Sequence, residues 1–109
     1  MIHITVSPKK FQLRIKGHAG YNEPGKDIIC ASVSYAFYNL AQVMLDYYNL
    51  GILCKEPEQK DNKGNSMLKV MPKKEYENNV QICFAVIARG LEVLSLQYPE
   101  FVDFKLNEH

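Results

Sequence analysis

The apolar residues of this chain change their period at one place, and that change restricts the folds open to it. Residues 1–7 alternate, with Ile2, Ile4 and Val6 on one side and His3 and Thr5 on the other, the period of a half-buried strand. SPKK makes a short turn, and Phe11, Leu13 and Ile15 then alternate against Gln12, Arg14 and Lys16, so 1–16 reads as a hairpin. A glycine-rich stretch, 17–26, follows. From Asp27 onward Ile29, Val33, Phe37, Leu40, Met44 and Tyr47 fall on one helical stripe, with Ala31, Ala36 and Ala41 adding helix propensity. Asn49-Leu50-Gly51 carries the stop signal.

Beyond the helix, ILCKE reads as a short strand, KEPEQKDNKGNS as a polar turn-rich segment and SMLKVMP as a returning strand. Residues 52–72 thus make a second hairpin with a long tip at 56–66, to which no function is attached. A second helix spans about 75–98, with Val80, Cys83, Ile87, Leu91, Leu94 and Tyr98 as its stripe and Phe84, Val86 and Val93 widening the face. Pro99 ends it, and FVDFKL supplies a short terminal strand. Gly90 inside this helix costs about 1 kcal/mol relative to alanine, so close approach of another element is its expected reason. The order ββαββα gives an α+β domain over 1–109, with two helices on one face of a mostly antiparallel sheet.

Bulk composition removes several function classes. The 13 Lys+Arg against 12 Asp+Glu leave a net charge of +1, without the basic footprint that nucleic-acid binding requires, so no direct nucleic-acid partner is expected. No uninterrupted apolar run reaches the roughly 18 residues of a membrane span, and the N-terminus has no signal-peptide pattern. The expectation is a cytoplasmic protein without a membrane partner. The three cysteines, Cys30, Cys54 and Cys83, form no CxxC pair, and no histidine gives them a zinc-ligand spacing, so neither a metal nor another cofactor is expected.

Chemistry concentrates in GHAGYNEPGKDIICASVS, residues 17–34. Asp27 stands where an N-cap belongs, which puts Cys30 at the third helical position. A thiolate there faces the positive end of the helix dipole and the free amides of the first turn. Cys30 is then either a nucleophile or, like most free cysteines, a small buried hydrophobe. His18 directly follows a strand, between Gly17 and Ala19, where it can meet the start of the helix and serve as base to the thiol; as a plain loop residue it has no role. His3 and His109 are weaker candidates. Ser34 lies four residues past Cys30 on the same helical face, to bond the sulfur or the imidazole or to permit close packing. Cys83 and Cys54 are expected in the core. The segment 19–26, with Gly20 and Gly25 around Tyr21, Asn22, Glu23 and Pro24, has no apolar pattern to anchor it and is expected to act as a lid over the substrate.

This stretch resembles the signature of the ribosomal-processing cysteine protease (Prp) family of Firmicutes and their phages. That signature is Gly-His-Ala, a short loop, Gly-x-Asp-Ile-Val-Cys-Ala and a serine four residues past the cysteine. Gly17, His18, Ala19, Gly25, Asp27, Ile28, Cys30, Ala31 and Ser34 match it, with Ile29 in place of the usual valine. GLEVLSLQYPEFV is similar to the end of the family's second helix. The resemblance implies a homodimeric α+β cysteine protease with Cys30 as nucleophile and His18 as base, Asp27 and Ser34 in support, and Gly17, Ala19, Gly20, Tyr21 and Gly25 in a substrate loop. It implies as partner the precursor of a large-subunit ribosomal protein, cut after an aromatic pair to remove an N-terminal extension, or a phage capsid or scaffold precursor. Asn22-Glu23-Pro24 departs from the family's loop. The rivals are a non-catalytic dimeric assembly factor that binds the same precursors, and a redox or acyl-transfer enzyme, the redox form weakened by the lack of a resolving CxxC cysteine.

Overall fold

The computed structural model describes residues 1–17, 26–62 and 64–109, with Lys26 and Asp27 by their backbone alone. Its elements are strands β1 (Ile2–Ser7) and β2 (Gln12–Lys16), helix α1 (Lys26–Asn49), strands β3 (Glu58–Asn62) and β4 (Asn65–Lys69), helix α2 (Glu77–Gln97) and strand β5 (Val102–Leu106). The five strands form one sheet in the order β3-β4-β2-β1-β5. Three of its ladders are antiparallel, and β1 with β5 is parallel. The terminal segment is therefore a full strand, and the α+β architecture holds.

Alternation puts Ile2, Ile4 and Val6 of β1, Leu13 and Ile15 of β2 and Val102 of β5 on the buried face of the sheet. His3 is exposed on the open face, where its Nδ1 lies 3.2 Å from a carboxylate oxygen of Asp103, its register partner in β5. Both helices cover the buried face. Ile29, Val33, Phe37, Leu40, Ala41 and Met44 of α1 and Val80, Phe84, Ala88 and Leu91 of α2 join one core cluster with the strands. Averaged along their length, both helices are also apolar enough to cross a membrane, which a search for uninterrupted runs does not reveal. Here each puts a stripe into the common core instead.

Helix α1 stops as its sequence directs. Gly51 has φ +81°, its N–H bonds the Tyr48 carbonyl at 3.0 Å, and the Ile52 N–H bonds the Tyr47 carbonyl at 2.9 Å. This crossed pair satisfies carbonyls that the helix end leaves open, and glycine reaches the left-handed angle without strain. The beginning differs from expectation. The helix already includes Lys26, so Asp27 is the second helical residue and not the N-cap, and Cys30 is the fifth and not the third.

Other expectations are corrected as well. Phe11 belongs to the turn and not to β2: it has φ +55° after the short 3-10 segment Pro8–Lys10, and its N–H closes on the Pro8 carbonyl at 3.2 Å. The long polar tip at 56–66 is a regular hairpin, with β3 and β4 in register down to Asn62 opposite Asn65. All five β3 residues are exposed, so the strand has no buried face to leave an apolar alternation in the sequence. ILCKE contributes only an isolated bridge between Leu53 and Pro72, which leaves Cys54 exposed. In α2 the buried line runs through Val80, Phe84, Ala88 and Leu91, while Cys83, Ile87 and Leu94 are half-buried and Val86, Val93 and Tyr98 are exposed. Gly90 has open space where a Cβ would stand, so nothing within the described chain approaches it.

At the end of β2, Gly17 has φ +98°, and a Cβ added there would overlap the Met1 carbonyl oxygen. Its N–H bonds the Gly64 carbonyl at 2.9 Å, which ties the strand end to the β3–β4 turn. Gly17→Ala is expected to lower stability by about 2 kcal/mol or more, combining a left-handed penalty of about 1–2 kcal/mol with displacement of Met1. Denaturant unfolding checks this, and a change below about 0.5 kcal/mol, the size of a neutral surface substitution, refutes it.

Candidate active site

Cys30 is exposed on the second turn of α1. Its neighbour Ile29 is fully buried, and that residue fixes the rotation of the helix and so turns the thiol outward. Ser34, also exposed, is one turn further along the same face. The same face continues through Tyr38, Ala41 and Leu45, at helical spacings of four, three and four residues from Ser34. The resemblance singles out the first two residues of this line; Tyr38, Ala41 and Leu45 line a cleft.

Tyr38 donates its hydroxyl proton to the Asp61 carboxylate on β3. The other carboxylate oxygen of Asp61 accepts a 3.1 Å bond from the Ser66 hydroxyl on β4. Tyr38 is further fixed by an edge-to-face contact with Phe37, with ring centroids 5.4 Å apart. These contacts seat the edge of the sheet under α1. Beyond them, toward the C-terminal end of α1, lies an open cleft of about 180 Å³ walled by Tyr38, Ala41, Gln42 and Leu45 on one side and Glu56, Pro57 and Gln59 on the other. No local sequence signal marks this cleft, since its walls come from segments more than ten residues apart. At the foot of β3, the Lys55 ammonium bonds Glu58 at 3.1 Å and holds that carboxyl below its usual range; the pair is solvent-exposed and carries no weight in stability.

The remaining thiols separate by environment. Cys54 is exposed on the chain after α1, with its N–H bonded to the Met71 carbonyl at 2.7 Å. Cys83 is half-buried between the helices, 3.5 Å from the Tyr47 hydroxyl. Of the expected site residues, the structure places Gly17 at the strand end and Cys30 and Ser34 on one face of α1. His18, Ala19, Gly20, Tyr21 and Gly25 lie outside the described residues, as does the expected lid, apart from the backbone of Lys26. Among the described residues no cluster of His, Cys, Asp or Glu is arranged to hold a metal ion.

An exposed thiol near the start of a core helix, on an α+β scaffold with an open cleft further along the same helix, has the form of a cysteine hydrolase site. Residues 1–103 match the family model described as cysteine protease Prp. A relative described as the ribosomal processing cysteine protease Prp of Mycoplasma genitalium is 30% identical over 104 residues, covering 94% of this chain and 92% of the relative. A crystal structure of a Streptococcus mutans protein superposes with a TM-score of 0.74 at 27% identity, covering 100% of this chain and 96% of that one. The Staphylococcus aureus ribosomal processing protease Prp, solved in complex with a substrate peptide, superposes at 0.72 with 16% identity, covering 98% of this chain and 100% of that one. The chain belongs to the Prp family of cysteine proteases.

Hydrogen bonding to Cys83, aided by the charge of that thiol and by burial, raises the Tyr47 hydroxyl above its ordinary value of 10.0. The folded state therefore holds this proton more tightly than the unfolded chain. The contribution of Tyr47 is fully present below about pH 10 and is lost as pH rises through the raised folded value. The stability advantage of the wild type over Tyr47→Phe is expected to be constant from neutral pH to about 10 and to shrink above it. Chemical unfolding of both proteins across that range checks the sign, and an advantage that grows with pH overturns the assignment.

Proposed function

We propose that this protein cuts the N-terminal extension from a large-subunit ribosomal-protein precursor, with Cys30 as nucleophile and His18 as general base. The observation that carries this reading is the exposed thiol of Cys30 near the start of α1, in a chain that matches the Prp family over residues 1–103. The relative named for ribosomal processing supports the substrate class. In the proposed reaction, imidazole takes the thiol proton and the sulfur adds to the scissile carbonyl carbon. The C–N bond then breaks as the imidazolium returns the proton to the departing amine. Water, deprotonated by the same imidazole, adds to the thioester and releases the acid and the thiol. Amides at the start of α1 offer donors for the oxyanion, and Ser34 and Asp27 are proposed to support the pair.

Cys30→Ala is expected to reduce cleavage of a precursor peptide below about one thousandth of the wild-type rate and to retain the helical signal, since alanine is a strong helix former. His18→Ala is expected to lose at least about a hundredfold, the scale of general base catalysis. A folded Cys30→Ala protein that still cuts removes the assignment, and one that only binds the precursor, like the wild type, favours an assembly factor. If the wild-type protein cuts a phage capsid or scaffold precursor and leaves the ribosomal precursor intact, the substrate reading is overturned. Cys54 serves as an internal control, because it too is exposed but has no base proposed beside it. Peptide mapping after brief alkylation is expected to find Cys30 modified first.

The homodimer that the resemblance implies finds support in α2. Ile82, Val86, Val93 and Leu96 are 63%, 65%, 44% and 75% exposed and follow a spacing of four, three, four and three when Arg89 is included. That is the seam of a helix made to pair with another helix. Under a two-fold axis near residue 89, Ile82 faces the partner's Leu96 and Val86 the partner's Val93, with Gly90 leaving room for the approach. Arg89 at the crossing is bonded to Glu92 at 3.0 Å, which neutralises the meeting of two like charges. Light scattering is expected to give twice the chain mass for the wild type and the single mass for Val86→Glu/Val93→Glu. A wild-type monomer at micromolar concentration, or a dimer that survives the double substitution, refutes this interface.

A further inference from the structure

In the hairpin β3–β4 Asn62 stands opposite Asn65, with two residues of sequence between them. Residues that flank a two-residue turn form a hydrogen-bonded pair, and such pairs alternate along an antiparallel ladder. Asn62, Lys60 and Glu58 therefore spend their backbone groups on β4, and Gln59 and Asp61 direct their N–H and C=O groups out of the sheet. β3 is the edge strand, and among the described residues no backbone group takes up these outward donors and acceptors. The side chains of the same two residues point toward α1, Asp61 to Tyr38 and Gln59 into the cleft. An open strand edge thus runs beside a groove whose opposite wall is the helix face that carries Cys30.

We infer that the open edge of β3 is the docking strand for the protease's substrate, which adds as an extended strand and places one side chain in the cleft between α1 and residues 56–59. This rests on the reading of Cys30 as the nucleophile. The direction of the elements fits it. Passing from Leu45 and Gln42 to Tyr38 along α1 corresponds to passing from Pro57 and Gln59 to Asp61 along β3, so both walls lead the same way. Continuing that way, α1 reaches Ser34 and Cys30, and β3 reaches the turn whose Gly64 carbonyl holds the Gly17 N–H. From the middle of the cleft at Gln42 to Cys30 is twelve helical residues, about 18 Å, the length of about five extended residues.

The occupant's chemistry follows from the walls. Backbone pairing is indifferent to side chains, so the edge selects an extended, unfolded segment and not a folded surface. The cleft offers Tyr38, Ala41, Leu45 and Pro57 as its apolar part, with Gln42, Gln59 and Glu56 at the rim. Its volume of about 180 Å³ suits one large apolar side chain, since a cavity of about 150 Å³ takes up a benzene ring. The Glu56 carboxylate stands at the rim of the cleft, which favours a substrate with a basic residue flanking that side chain.

The test uses the full-length protein and a peptide of about twenty residues spanning the cleavage junction of the ribosomal precursor. Proline at position 59 removes the outward N–H and leaves the β4 ladder intact, a substitution that edge strands tolerate. Gln59→Ala reports the side chain alone, and Gln59→Pro is expected to raise KM about tenfold further with kcat held within about twofold. On the unaltered protein, single N-methyl groups placed along the peptide are expected to weaken cleavage at every second position. An apolar-to-polar change about five residues from the scissile bond is expected to raise KM more than the same change at its neighbours. Equal KM for the folded proline and alanine variants, or N-methyl effects without alternation, overturns the inference while Cys30-dependent cleavage stands. A shift of the proline variant from dimer to monomer with unchanged KM assigns the edge to a second copy and overturns it too; should the variant not fold, the N-methyl series decides alone. Absence of any Cys30-dependent cleavage by the wild type fails the catalytic reading itself and takes the docking strand with it.

Discussion

Gly17 stands where only a residue without a side chain fits, and the geometry around the site depends on that fit. Its backbone lies against the Met1 carbonyl, at a left-handed angle, and its N–H is bonded to Gly64. Three segments distant in sequence are held together there: the start of β1, the end of β2 and the turn between β3 and β4. The next residue in the chain is His18. Whatever course the chain takes from there to α1, it departs from a point fixed by the central ladder of the sheet and not from a free loop end. A site that must hold a base near a nucleophile gains from such an anchor, because small displacements of reacting groups carry large penalties in rate.

The sequence is legible where each element has one buried face. Strands β1 and β2 alternate, α1 keeps a single stripe, and the glycine that ends α1 is recognisable from its place after Asn49 and Leu50. β3 is illegible for the opposite reason. It faces solvent along its whole length and is a strand only because β4 pairs with it, so EQKDN has the composition of a loop. Helix α2 misleads because it is apolar on two sides, and the stripe inferred from periodicity was drawn across both. Val86 and Val93 belong to the exposed seam, while Ala88, too small to stand out in the pattern, is in the core.

The candidate site divides along the same line. Cys30 and Ser34 are close in sequence and share a helical face, so local reasoning finds them. Tyr38 with Asp61 is a contact across 23 positions, between a helix face and a strand that sequence alone does not reveal. The feature that offered a way to it is the spacing itself. Cys30, Ser34, Tyr38, Ala41 and Leu45 continue one line down α1, opposite the buried line of Ile29, Val33, Phe37, Leu40 and Met44 only in part. Ala41 is buried at 6% and also lines the cleft, so the groove floor is continuous with the core.

An exposed strand edge is hazardous, since unpaired backbone groups accept any extended chain, including another copy. The residues of β3 reduce that hazard: Glu58, Lys60 and Asp61 put charge on a strand of only five residues, and neither face is apolar enough to stack. Backbone hydrogen bonds in water contribute little net free energy each, so an edge this short does not by itself retain a peptide. Retention then requires burial of an apolar side chain, and the cleft at Tyr38, Ala41, Leu45 and Pro57 lies beside the edge to receive one. The division separates two requirements on one surface. The edge demands an extended backbone, which folded proteins do not present, and the cleft demands a particular side chain at a set distance from Cys30, which most unfolded segments do not have.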